Sequence, residues 1–371
     1  MSKRGRIIFL AAILLVGIVL RLLYLQQYSS SPLYRHIVGP DVSEYLSWAR
    51  RIVAGQWLWP QVDIHSPLYP YMLALLLTLS GGDLFWVRLL QLILGLVAML
   101  PLFGELVRMM PKQGIFRFTP YLYAILAAVY PPLWFYEGET VSEALLIPLV
   151  TLALWMICRA DHASGCRRGL YWRGGGGLLC GLAIITHPLS LFFAAAEGML
   201  LTWLLVRLRS ARRRMRLMHC AVFAVGLLLP VLPVIIYNTI LEKTPVMVQK
   251  NSGYNFFLGN NPEATGGCYI WPGPAWDKVH NAADRAARDQ GISTDRYFYH
   301  QSFEFMLKQP VAAATLVLRK AVYVWNRLEL AAGPDLPGLK YYTPLMRYTS
   351  WAFGMIAVLA LAGLPSFREQ R

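Results

Sequence analysis

Two carboxylates, Asp41 and Glu44, stand three residues apart in PDVSEYLSWARRI, and Asp63 and His65 follow in the same polar segment. A carboxylate or imidazole placed against a hydroxyl can take its proton, so these types in one segment point to general-base chemistry. The same spacing also serves a structural end. Asp41 as N-cap with Glu44 three residues on makes a capping box, and Val42, Tyr45, Trp48, Ala49, Ile52 and Val53 fall at helical spacing behind it. The segment therefore predicts an amphipathic helix with Asp41 at its start, and a helix start can hold a carboxylate in place before substrate arrives. His65 alone is compatible with a solvated loop histidine or with a ligand.

Three further acids, Glu137, Glu139 and Glu143, crowd into YEGETVSE. Carboxylates at a membrane boundary are costly unless they cap, pair or bind a cation. Glu143 follows Ser142 at a helix start, where an acid suits the macrodipole, and it is the candidate ligand for a divalent metal. Farther on, KNSGYNFFLGNNPEATGG places Tyr254, Asn255 and Asn260 in an Asn/Gly/Pro-rich loop suited to sugar hydroxyls and equally to tight turns. LVLRKAVYVWNRLEL, residues 316–330, predicts an interfacial helix in which Arg319, Lys320 and Arg327 lie among Tyr323 and Trp325. Such a helix binds lipid phosphate or anchors the chain at the headgroup level. RGGGGLL lacks the Gly-Lys-Ser/Thr of a phosphate loop, and its glycines predict a flexible or closely packed helix. There is no His-Glu-x-x-His, no nucleophile elbow and no N-glycosylation sequon.

The elements that must position these groups are membrane helices. The 371-residue chain is 56% hydrophobic and 15% charged, with a mean hydropathy of +0.44, beyond the range of ordinary soluble domains. Runs long enough to cross a bilayer at about 17 to 25 residues each fall at 7–25, 84–105, 118–135, 140–158, 188–207, 217–237 and 345–364, with a shorter glycine-rich run at 174–186. Arginine and lysine collect in alternate short connections, which marks these as cytoplasmic and places both termini on that side. The excess of 35 Lys+Arg over 20 Asp+Glu is thus a topology signal, and nucleic acid is not expected as a partner. The N-terminal KRGR-IIFLAAILLVGIVL predicts an uncleaved anchor. The five scattered cysteines imply neither zinc nor a disulfide framework.

This arrangement divides the chain into a membrane core over 1–237, with a first outer segment at 26–83, a long outer loop over 238–340, and a last span with a short tail over 341–371. Residues 67–80 are too short to span, so an interfacial or re-entrant helix is expected there. Asp41, Glu44, Asp63, His65, Glu139 and the long loop then share the outer side, where Glu44, His65 and Glu139 are candidates for binding substrate.

Taken in order, PDVSEYLSWARRI, HSPLYPYMLALLL, VRLLQLILGL, YPPLWFYEGETVSEALL, GLAIITHP and GYNFFLGNNPEATG resemble the membrane glycosyltransferases of the GT-C superfamily. The bacterial members related to the protein mannosyltransferases and to the lipid A aminoarabinose transferase are the nearest in pattern. The resemblance implies an all-α polytopic membrane protein, a GT-C-type transmembrane helix bundle with interfacial helices in its outer loops. It also implies a polyprenyl-phosphate-linked sugar as donor, transferred with inversion to a hydroxyl acceptor on a lipid, glycan or protein at the periplasmic face of a bacterial inner membrane. It puts the base at Asp41 and the family's second acid at Glu143. His187, in THP, stands where the family often has a basic residue that touches phosphate. Family members usually run longer than this chain, so a compact or truncated form is expected.

That chemistry suits the residues. An attacking hydroxyl needs one positioned base, and the departing phosphate wants cations from Arg, Lys, His or a divalent metal, unlike a glycosidase with its two flanking carboxylates. A transporter or lipid-sugar flippase is the alternative, for which Glu197 and Arg21 are the mid-membrane ionisable groups and related half-repeats are wanting. A catalytically silent membrane partner is the third.

Overall fold

The computed structural model describes residues 2–35, 40–60, 62, 64–162, 166–207, 210–243, 245–250, 252–267, 270, 273–325, 336–349 and parts of 353–361. Among them every regular element is a helix. The chain divides into two compact units, Met1–Arg35 with Asp41–Gln249, and His36–Pro40 with Lys250–Arg371.

In the larger unit the helices are α1 (Lys3–Ser29), the short α2 (Pro32–Arg35), α3 (Pro40–Val53), α4 (Leu68–Leu79), α5 (Leu84–Ala98), α6 (Leu100–Met109), α7 (Thr119–Val129), α8 (Pro131–Gly138), α9 (Glu143–His162), α10 (Cys166–Ile184), α11 (Ser190–Arg207) and α12 (Ser210–Glu242). Among the described residues four stretches are long and apolar enough to cross a membrane: α1, the continuous α5–α6 rod over Leu84–Met109, α9, and Arg213–Glu242 of α12. Their apolar side chains point outward in number, with Leu15, Val16, Val225 and Leu229 exposed, as lipid-facing surfaces require. With its apolar helices this is a multi-pass membrane protein.

α4 is 12 residues long, about 18 Å at 1.5 Å per residue, against a hydrocarbon core of about 30 Å. The expected third span, 118–135, is interrupted. Tyr130 takes an extended conformation before the Pro131–Pro132 pair, as a residue preceding proline prefers, and the chain restarts as α8. The glycine-rich run is longer than expected, since α10 extends from Cys166 and lies in backbone contact with α12. A Cβ on Gly177 would sit 2.2 Å from the Phe223 carbonyl, one on Gly181 2.2 Å from that of Leu227, and one on Gly226 2.3 Å from that of Gly174. The four-glycine run therefore works as a packing surface of small residues that lets two helices touch.

The smaller unit holds α13 (Ser252–Gly259), α14 (Pro274–Asp289), α15 (Thr294–Lys308), α16 (Pro310–Val324), α17 (Leu336–Tyr342) and α18 (Pro344–Thr349). Asp295 fastens α13 to α15: its carboxylate accepts the Gly253 amide at 2.6 Å and the Ser252 hydroxyl at 2.9 Å. The expected interfacial helix over 316–330 begins earlier, at Pro310, and ends at Val324 with Trp325 as its C-cap. Arg327 lies outside the described residues, as do Asp63, Cys268 and parts of the predicted last span.

Candidate active site

α3 is positioned by its apolar stripe. Val42, Tyr45, Leu46, Trp48, Ala49 and Ile52 are buried with Tyr69, Leu73, Ala74 and Leu77 of α4; the stripe read from sequence holds except at Val53, which at the end of the helix is 52% exposed, while Leu46 takes a place in the core. Burial of this kind is worth about 1.5 to 3 kcal/mol per large side chain, enough to hold a 14-residue helix that would be marginal in isolation. Pro40 opens the helix, so Asp41 sits inside the first turn and not at the N-cap, a correction to the capping box. Pro is favoured at the first helical position, and the acid after it interacts with the helix dipole.

His65 comes to meet α3. Its Nε2 lies 2.7 Å from Glu44 Oε2 and 3.9 Å from Asp41 Oδ1, and its ring packs on Tyr45 with centroids 4.5 Å apart. The imidazole is 11% exposed, whereas the Asp41 and Glu44 carboxylates are 47% and 44% exposed. A fixed imidazole thus stands between two acids that stay open to a substrate. Tyr69, fully buried, stacks edge-on against Tyr45 and donates to Gln91 Oε1 at 3.0 Å, while Gln91 Nε2 donates to the carbonyls of Glu137 and Glu139 at 3.1 and 2.8 Å. One chain of contacts therefore links the first polar segment to the turn after α8.

That turn answers the question raised by its three acids. Glu137 is buried and pairs with Arg21 of α1 at 2.9 Å. The arginine also donates to the carbonyls of Ala128 and Ala127 at 3.2 and 3.3 Å, and the Trp134 indole donates to Ala128 as well. Those two carbonyls would take N–H groups from residues 131 and 132 in an unbroken helix, but both are prolines and have none. The Pro-Pro break thus creates the orphan acceptors that Arg21 and Trp134 fill. Glu139, also buried, faces Arg88 of α5 at 3.8 Å. Burial pushes its carboxyl above the usual range, and Arg88 together with the Tyr28 hydroxyl opposes that shift. Arg88 itself is caged by the Tyr28 and Tyr34 rings at 4.7 and 4.3 Å, with its Nε and Nη1 buried and unpartnered among the described residues. Glu143 accepts from Ser142 at 3.2 Å in the first turn of α9.

Arg21, Arg88, Tyr28, Tyr69 and Gln91 were not singled out for this site by sequence. The only available signal was a pair of arginines inside apolar runs, each of which requires a partner at membrane depth.

His187 forms the turn between α10 and α11: its Nδ1 accepts the Leu189 amide at 3.4 Å, and its carbonyl accepts the Ser190 hydroxyl at 2.8 Å. Among the described residues no three His, Cys, Asp or Glu side chains assemble as a metal site, and the donor set at Glu143 is one carboxylate already shared with Ser142.

In the smaller unit the asparagine loop and α16 come together. Lys320 Nζ donates to Asn260 Oδ1 at 2.9 Å, and Arg319 donates to the Thr265 carbonyl at 3.4 Å. Partial burial draws the Lys320 ammonium below its ordinary pKa. Gly266 has φ +96°, in the left-handed region, and a Cβ there would meet Tyr323 at 2.9 Å, so glycine lets the loop lie against the helix. Tyr254 packs on Trp276 at 4.4 Å, and Asn255 is exposed.

The fold and the polar core define the class, an all-helical multi-pass membrane protein with buried ion pairs behind a polar cluster. Residues 64–237 match the family model of the dolichyl-phosphate-mannose-protein mannosyltransferases, a glycosyltransferase family of the GT-C type, in agreement with the motif resemblance. His65, Glu139, Glu143 and His187 lie within the matched segment, and Asp41 and Glu44 precede it. No curated protein and no solved structure matches the chain.

Proposed function

We propose that the protein transfers a sugar, with inversion, from a polyprenyl-phosphate donor to a hydroxyl acceptor at the periplasmic face of a bacterial inner membrane. The observation that carries this reading is the Asp41 carboxylate, half exposed on a helix locked by its buried face and flanked by the Glu44–His65 pair. In the reaction the acceptor O–H gives its proton to Asp41 as its oxygen bonds to the anomeric carbon. The bond from that carbon to the phosphate oxygen breaks, and its electron pair leaves with the polyprenyl phosphate. Glu44 holds the His65 ring, and that ring keeps the Asp41 side of the cluster in place.

The leaving phosphate needs cations. Lys320 and Arg319 stay the candidates for it read from the sequence, as do Tyr254, Asn255 and Asn260 for sugar hydroxyls; within the smaller unit the two cations are seated against the Asn260–Gly266 loop. His187 is a further basic group, and no step is assigned to a metal. Arg21 is paired with Glu137 and Glu197 with Arg173, which supports a packing role for the two mid-membrane groups of the transporter reading.

Purified protein supplied with a radiolabelled polyprenyl-phosphate sugar and membrane acceptors should transfer label, and Asp41→Asn should not. Transfer at the parental rate by Asp41→Asn would refute the assignment.

A further inference from the structure

The arginine-rich end of the larger unit contains a groove that the transfer reaction does not use. It has a volume of about 520 Å³ and is lined by Arg167, Leu170, Tyr171, Gly174 and Gly175 of α10 and by Val222 of α12. The α10 residues fall at positions i, i+3, i+4, i+7 and i+8, one face of a helix, so the groove runs about 12 Å along the axis at 1.5 Å per residue. It is charged at one end and apolar at the other. The glycines give it a shallow floor, and Tyr171, 78% exposed, stands beside Arg167 as an aromatic residue does at headgroup depth.

Charge at this end is sorted into two sets. Arg173 is fully buried and holds Glu197 and, at 2.5 Å, Asp161, which Arg216 also reaches at 3.5 Å. Glu105, likewise buried, is shared by Arg108 and Arg159. These three acids pair with four arginines, Arg108, Arg159, Arg173 and Arg216. Among the described residues, Arg167, Arg168, Arg213 and Arg214 enter no ion pair, and all four are exposed. The first turn of α10 contains no acidic residue, so the positive end of its dipole adds to Arg167.

We infer that this groove binds one anionic glycerophospholipid of the cytoplasmic leaflet, its phosphate on Arg167 at the start of α10 and an acyl chain laid along Tyr171, Gly174, Gly175 and Val222. A polar head above an apolar trough matches an amphiphile lying parallel to a membrane helix. A soluble anion would gain nothing from the trough, and a zwitterionic lipid would present its own cation to the arginines.

Native mass spectrometry of the full-length protein, delipidated and titrated with phosphatidylglycerol or phosphatidylcholine, tests this. One phosphatidylglycerol should be retained more tightly than phosphatidylcholine. Arg167→Gln should weaken that retention roughly tenfold, the scale of one lost charge-assisted contact, and Leu170→Trp, which fills the trough, should weaken it as well. Arg168→Gln, off the groove, should behave as the parent. Helical circular dichroism and a monodisperse elution profile would establish that each variant folds. Equal retention of the two lipids, unchanged retention by Arg167→Gln, or an equal loss in Arg168→Gln would each overturn the inference, the last by showing only diffuse attraction to a basic surface.

Discussion

The imidazole of His65 is held 2.7 Å from the Glu44 carboxylate, although the two residues are far apart in sequence and lie in different elements. The pairing fixes the ring beside Asp41. Glu44→Gln replaces a charge-assisted hydrogen bond by a neutral one and frees the ring to turn. Turnover should fall roughly ten- to a hundredfold, the scale of a small misplacement near the chemistry, with little change in the concentration of donor needed for half-saturation. A steady-state split of kcat from KM checks it. An effect on KM alone would place Glu44 in donor binding.

Asp41→Asn should lower turnover by about a hundred- to ten-thousandfold, the range of a lost general base. The helix should be unaffected, because its stability comes from the buried face and from Pro40 at its first position. Transfer assays beside thermal unfolding of the same preparation separate the two effects. A parallel loss of stability would show that the acid holds the helix start instead.

Lys320→Ala removes the ammonium held by Asn260. Donor binding should weaken by roughly ten- to a hundredfold, while Asp41→Asn should leave it unchanged. Binding of a polyprenyl-phosphate sugar to each variant in nanodiscs measures this, and parental binding by Lys320→Ala would move the phosphate elsewhere.

Arg21→Met leaves Glu137 as an uncompensated buried charge and strips the arginine donor from the Ala127 carbonyl, while that of Ala128 keeps the Trp134 indole. The expected cost is about 3 to 5 kcal/mol. The double variant Arg21→Met with Glu137→Met should be more stable than Arg21→Met alone, since the unpaired charge goes with its partner. Thermal melts of the three proteins decide it.

Gly226→Ala drives a methyl to 2.3 Å from the Gly174 carbonyl, and a backbone atom cannot swing aside as a side chain can. Forcing α10 from α12 should cost about 1 to 3 kcal/mol, read as a lower melting temperature. Gly198→Ala, with nothing within 4 Å, is the control and should be neutral or slightly stabilising.

Much of the fold was legible in the chain because its signals are local. Apolar run length reports spanning helices, and the apolar stripe on α3 reports a buried face, whatever packs against it, with Val53 at its end left exposed. The candidate residues Asp41, Glu44 and His65 could be named from their types and their shared polar segment. The spacing misplaced one detail, Asp41 as N-cap, because Pro40 enters the helix at its first position and shifts the start. The break in the third span followed from YPP, a local signal outweighed by the apolar count around it.

Partners are a different matter, since they depend on which helices touch. Nothing local ties Arg21 to Glu137, Arg88 to Glu139 and Tyr28, or Lys320 to Asn260, because each pair joins segments separated by other elements. The sequence by itself determined that this is a helical membrane protein with its acids gathered in a few polar segments, since burial of apolar length and exclusion of charge from lipid are properties of composition and order. Only the tertiary structure decided which acids are consumed in holding the bundle and which stay open to a substrate. Glu137 and Glu139 are neutralised in the low-dielectric core by arginines from other helices, whereas Asp41 and Glu44 keep their solvent access beside the His65 imidazole.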